Sequence, residues 1–321
     1  MPSLKEIKNR ITSVNNTRKI TSAMKMVASS KLHHAQVMIE NMLPYETMLE
    51  RILKSFLASE VDAKTIFSQE RKVNRVALIV FSSNSSLCGG FNANIIKSML
   101  NAIEEYKANG ISDFVIYPIG RKVAEKVNKL NLPSAGDFAD LCEHPNAQQC
   151  ITIAQKIGQR FRDGEIDKVE LIYHHFKSAG SQILTRRQFL PININDVDFT
   201  FDKGRDLTST IATKESQEYL MKNHREMNIK EEKAKPLNDN FIVEPDLHVI
   251  LGRLIPQYLH LKFYTALLDS NASEHAARMV AMQTATDNAD ELLRVLNLQY
   301  NKSRQQAITN ELLDLASGSA S

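Results

Sequence analysis

Apolar residues near the start of the chain recur at alternating three- and four-residue steps. Leu4, Ile7, Ile11 and Val14 open a seam of period 3.5 that predicts a helix. Ser3 and Glu6 form a capping box ahead of it, a local signal for the helix start. The same register continues through Arg18, Thr21 and Lys25 before returning to Ala28, Leu32, Ala35, Ile39 and Met42. The middle is polar, and Ile20, Met24 and Val27 are expected to carry the apolar face one position round. Pro44 predicts a kink, with helix resuming through Met48, Ile52 and Phe56. The other end of the chain behaves alike. Glu244-Pro245-Asp246 reads as a helix start. Pro256 is expected to bend the helix, after which Leu268, Ala272, His275, Met279, Met282, Thr286, Ala289, Leu293, Leu296 and Tyr300 keep the 3.5 spacing. The stripe then shifts to Ile308, Leu312 and Leu315, and Gly318 closes the helix. At about 1.5 Å per residue these are rods of roughly 80–90 Å, too long for a compact domain to bury. Each is the other's nearest partner, so the pattern predicts an antiparallel coiled coil of residues 1–60 and 245–321.

Between the rods the period changes. Val76–Phe81 is a buried-strand run, followed by Leu87-Cys88-Gly89-Gly90-Phe91-Asn92 and a helix to about Lys107. Phe114–Tyr117 reads as a second strand, with helices expected near Arg121–Leu130 and Asn146–Arg162. Val169–Tyr173 and Gln182–Thr185 flank a turn at Ser178-Ala179-Gly180 and predict a hairpin. The fold class expected is therefore mixed α+β/α/β. It combines the long antiparallel coiled coil with a small Rossmann-like α/β domain over 70–200, whose sheet is mostly parallel with an antiparallel edge. Residues 201–244 are read as a charged insertion (densest from Asp202 to Asn240) and a foot segment.

Composition supports long helices, since Gly and Pro number only 11 and 9 in 321 residues. A net charge of +3 is too small to argue for nucleic acid or an anionic membrane. Three cysteines with no CxxC spacing argue against a disulfide framework and favour a reducing compartment. No run of about 18 apolar residues is present to span a bilayer. The N-terminus is basic and nearly free of acid, which could imitate a transit peptide, but its heptad pattern favours a structural helix.

Candidate chemistry is sparse. Leu87–Asn92 lies where phosphate-binding loops lie, between a strand and a helix, yet lacks GxGxxG, GxxxxGK[ST] and any Lys. His33-His34 and His174-His175 are adjacent pairs whose side chains point to different faces, a poor geometry for one metal ion. Cys88 has no evident base. No catalytic residue, cofactor or metal site is assigned.

The terminal segments carry a resemblance. The run Ile11–Lys31 with Asn16-Thr17-Arg18-Lys19-Ile20-Thr21 at its centre, Ser273–Ala289, Ile308–Gly318 and the Leu87–Asn92 turn together resemble the gamma-subunit family of F-type ATP synthases. Asn84, Ser85 and Ser86 depart from the Asp, basic residue and Gly usual before the turn, and Ser319 replaces a usual Ala. The resemblance implies a non-catalytic central-stalk rotor. Its coiled coil would run inside a ring of three alpha and three beta subunits, with the α/β domain at the foot against the epsilon subunit and the c-ring. Proton-driven rotation of the c-ring would turn the shaft and force each beta subunit through successive nucleotide-binding states. The implied rotor–stator contacts are Arg18, Lys19, Met24, Lys25, Arg278, Arg304, Gln305, Thr309 and Glu311, with Lys31 on the same basic helix. Phe241, Val243 and Glu244 would touch the c-ring or epsilon. The implied location is peripheral, on the cytoplasmic face of a bacterial inner membrane, held through the c-ring, with no nucleic-acid partner. A basic coiled-coil nucleic-acid binder and a small α/β enzyme with helical arms are the competing classes.

Overall fold

The computed structural model describes residues 3–59, 66–192, 244 and 246–318. The 202–240 expectation, with Phe241, Val243 and Pro245, lies outside the described residues. In chain order the elements are α1 (Leu4–Ser59), a short 3-10 turn (Ile66–Ser68), β1 (Arg75–Phe81), α2 (Phe91–Ala108), β2 (Asp113–Ile119), α3 (Arg121–Lys129), α4 (Ala139–Glu143), α5 (Ala147–Arg162), β3 (Lys168–Ser178), β4 (Ser181–Leu190) and α6 (Leu247–Gly318). The capping box forms at the start of α1: the Ser3 N–H donates to Glu6 Oε2 at 2.8 Å and the Glu6 N–H to Ser3 Oγ at 3.2 Å.

Neither proline interrupts its helix. Pro44 lies inside α1 and Pro256 inside α6, so each helix continues through its proline. A proline in a helix interior costs about 3 kcal/mol. Here Ile39, Leu49 and Leu53 around Pro44, and Ile255, Tyr258 and Leu259 around Pro256, are buried. Each such side chain returns about 1.5–3 kcal/mol, which offsets the lost bond. The C-terminal helix begins at Leu247, slightly later than the Glu244 start signal.

The chain divides into two compact units. One comprises Met1–Ala28 with Arg278–Ser321, the other Ser29–Ala277. The cuts fall inside α1 and α6: Leu32, Ala35 and Ile39 of α1, and Leu251, Ile255, Leu259, Phe263 and Leu267 of α6, are buried in the second unit.

In that second unit the sheet has the order β2-β1-β3-β4. β1 is parallel to both neighbours and β3 pairs antiparallel with β4, the mostly parallel sheet with an antiparallel edge. β1 reads as an unbroken apolar run because both its faces are covered. Val76, Leu78 and Val80 join a core with α2 and α3, whereas Ala77, Ile79 and Phe81 join the larger core with α5, Leu49, Leu53 and Leu251–Leu267. Phe263 is fully buried in the larger core, with its ring edge-on to Phe81 at 5.6 Å and to Phe189 at 6.5 Å between centroids.

Candidate functional site

The first region is built from the two chain ends. Of the predicted seam, Ile7, Thr21, Ala28, Met282, Ala289 and Leu296 are buried, and Ile11, Val14, Arg18, Lys25, Thr286, Leu293 and Tyr300 are half-buried. The strict 3.5 register therefore persists through its polar stretch. The expectation that Ile20 and Val27 take over the packed face is corrected, since each is 59% exposed. The cause is a polar pairing across the seam: the Thr21 and Thr286 hydroxyls lie 2.8 Å apart. Beside it, Arg18 donates to Asp290 Oδ1 at 2.9 Å. That ion pair is largely exposed and adds at most about 1 kcal/mol.

Turning Ile20 and Val27 outward, with Met26, leaves an apolar stripe on α1 beside exposed Lys19 and Lys31. On α6, Leu298, Ile308, Leu312 and Leu313 are likewise exposed. Single exposed apolar residues need no explanation, but rows of them mark surfaces that other chains cover. These residues were missed as site candidates because an apolar residue at helical spacing reads as core. The implied contact residues scatter differently. Lys19, Arg304, Gln305 and Thr309 are exposed, with the Thr309 hydroxyl donating to the Gln305 carbonyl at 2.9 Å. Met24 and Lys25 are half-buried, and Arg18 is engaged by Asp290. Arg278 is only 9% exposed, so most of its surface is enclosed within its own chain. Glu311 lies on α6, and Glu244 is exposed ahead of it.

The second region lies at the carboxyl end of β1 in the sheet unit, where parallel sheets usually bind ligands. Here the chain's own side chains occupy it. The Asn92 amide donates to Ser83 Oγ at 2.7 Å and to Cys88 Sγ at 3.1 Å, while its oxygen accepts from the Ser83 N–H at 3.1 Å. Gly89 has φ +59°, and Leu87 adopts φ +67° although it is not glycine, with its side chain 60% exposed. Gly120 is required by close approach as well as by φ +104°: a Cβ there would stand 2.2 Å from the Ser82 carbonyl oxygen.

Asn84, one of the departures from the family pattern, has a clear task. Its Oδ1 accepts from the Arg121 N–H at 2.9 Å, and its Nδ2 donates to the Ala139 carbonyl at 2.8 Å. Asn84→Ala removes both, and a loss of about 2 kcal/mol is expected in urea unfolding. An unchanged midpoint would show that these bonds contribute nothing net.

The histidine pair does point two ways. The His174 ring stacks on Phe91 at 4.4 Å between centroids, whereas His175 Nδ1 lies 2.7 Å from Asp269 Oδ2. Burial pulls the His174 imidazole down to about 4, so it is neutral at pH 7. Burial also pushes the Cys150 thiol up to about 12, which removes it as a nucleophile. Among the described residues no cluster of three or more His, Cys, Asp or Glu is placed to hold a metal ion.

A family model described as ATP synthase matches residues 3–321. A protein of Phocaeicola vulgatus named ATP synthase gamma chain is 50% identical over 319 residues, covering 99% of both chains. A protein of the same name from Bacteroides thetaiotaomicron is 48% identical over 321 residues, again at 99% of each. The chain belongs to the gamma-chain family of ATP synthases. Membership makes it a central-stalk subunit of that rotary complex. The fold is shared with solved structures at low identity. One is an assembly of Euglena gracilis mitochondrial ATP synthase described as OSCP/F1/c-ring, with TM-score 0.57 and 15% identity over 99% of this chain and 93% of that one. The central stalk and c-ring structure of the Tetrahymena thermophila mitochondrial enzyme gives 0.52 and 23%, over 83% and 99%. Among the described residues no helix is long and apolar enough to cross a membrane.

Proposed function

We propose that the two chain ends form an antiparallel coiled-coil shaft that transmits rotation, and that the subunit makes and breaks no covalent bond itself. One observation carries this reading. The Thr21–Thr286 and Arg18–Asp290 bonds run in opposite senses, the number falling on one helix as it rises on the other. That register would set Val14 level with Leu293, Ile11 with Leu296 and Ile7 with Tyr300, all of them buried or half-buried, which supports the reading.

In the proposed assembly residues 1–60 and 245–321 are the shaft inside three alpha and three beta subunits. Residues 70–200 are the foot against epsilon and the c-ring, and 201–244 is a further foot segment with Phe241, Val243 and Glu244 as contacts. Proton-driven rotation of the c-ring turns the shaft, and its asymmetry drives each beta subunit through its nucleotide states. Lys19, Lys25, Met24, Arg304, Gln305, Thr309 and Glu311 meet the ring, together with what remains accessible of Arg18 and Arg278. Exposed cations suit a moving contact, because each surface ion pair contributes only about 0–1 kcal/mol and can be remade at every step. The complex holds the subunit peripherally on the cytoplasmic face of a bacterial inner membrane.

Copurification tests the assignment. The tagged chain should bring down alpha, beta and epsilon subunits in one complex. Removing the last twenty or so residues should weaken that assembly and its coupling while leaving the sheet unit folded. A truncated chain that still supports ion-driven ATP synthesis at the full rate would defeat the shaft reading.

A further inference from the structure

Helix α6 changes character within the sheet unit. From Leu251 to Leu268 its buried residues are almost all apolar, but Asp269, Ser270, Ser273, Glu274 and His275 are buried too. Asp269, Ser273 and the neighbouring Asn271 form directed bonds to two different elements. Asp269 faces His175, and the Ser273 hydroxyl donates to the His174 carbonyl at 3.1 Å, both on β3. Asn271 Nδ2 donates to the Cys142 carbonyl at 2.9 Å, and Cys142 Sγ lies 3.8 Å from Glu274 Oε2, both involving α4. At about 100° per residue, Asp269 and Ser273 share one flank of the helix, and Asn271 and Glu274 lie on roughly the opposite one.

Stability alone does not call for this arrangement, because replacing paired buried polar groups by apolar ones of similar shape is often neutral or favourable. Apolar contacts are non-directional, so they resist separation of a helix from its bed better than they resist its rotation or sliding. Bonds on opposite flanks resist both. We propose that Asp269–Glu274 is the clamp through which the α/β unit holds α6 against torque, with Asn271 and Ser273 as positioning residues. This rests on the rotor reading above.

The experiment uses the intact ATP synthase complex in sealed vesicles, assembled with the wild-type chain, with Ser273→Ala, or with Asn271→Leu and Ser273→Ala combined. ATP hydrolysis and ATP-driven ion uptake are measured with and without an opposing membrane potential. Hydrolysis should stay within about twofold in all. For the double variant, ions moved per ATP should fall about tenfold under opposing potential, the size expected from losing one or two net hydrogen bonds, and little without it. Ser273→Ala alone should give a smaller fall in the same direction. A purely structural role would lower assembly and hydrolysis together and leave the ratio unchanged, and an unchanged ratio under load in Ser273→Ala and the double variant overturns the clamp. If the wild-type chain itself fails to restore ion uptake to the complex, the rotor reading fails first and takes the clamp with it.

Discussion

Lys262→Met is expected to lower the stability of the sheet unit by about 3–5 kcal/mol, the usual result of stripping one partner from a buried ion cluster. Lys262 Nζ lies 2.8 Å from Glu46 Oε1 and also bonds Glu50 Oε1, joining α6 to α1. Burial alone would push this ammonium down, but the nearby Glu46, Tyr258 and Glu50 carry it well above its usual value. Burial pushes Glu50 up, and Lys262 opposes that shift. Removing the cation leaves two buried carboxylates facing each other. The urea midpoint should fall accordingly. Replacing all three residues together (Glu46→Gln, Glu50→Gln and Lys262→Met) should recover most of the loss, because no unpaired charge remains. If Lys262→Met alone unfolds at the wild-type midpoint, the cluster is not a net contributor.

Acid should destabilise the same unit through His174. Its imidazole titrates near 4 in the folded chain and near 6.5 when unfolded. Between those values the unfolded state binds more protons, so stability falls as pH drops from about 6.5 towards 4 and is unaffected above 7. The full loss is on the order of 3 kcal/mol, from about 1.4 kcal/mol per pH unit. His174→Phe keeps a ring against Phe91 and removes the titration. The difference in urea stability between wild type and variant should therefore change with pH only inside that window. A difference that stays flat from pH 7 to 4.5 would show that the ring is protonated at little penalty.

Much of the fold was legible because its signals are local. β1 declares itself through six consecutive apolar residues, and the Ser3–Glu6 box is written within four positions. The hairpin turn falls between Ser178 and Ser181 as its small residues suggest. What escaped the sequence depends on distant partners. Ile20 outranks Thr21 in hydrophobicity, and only a hydroxyl 265 positions away makes the threonine the buried one. The burial around Pro44 and Pro256, which offsets what each proline costs its helix, also involves partners far along the chain. The five-residue α4 has no periodicity to read, yet its Cys142 supplies the carbonyl and thiol that meet α6. The contact residues taken from the family resemblance could be placed on helices, but their exposure could not. Nothing in the sequence around Arg278 announces that its own chain encloses it.

The threonine pair has a consequence for proton order. Thr21 Oγ1 lies 3.0 Å from the Arg18 carbonyl, and Thr286 Oγ1 lies 2.8 Å from the Met282 carbonyl. Two hydroxyl protons thus serve three contacts, and either threonine can give while the other receives. The row of four oxygens is a small reversible wire whose polarity flips without any heavy atom moving. The bond across the two helices is therefore kept whichever threonine donates.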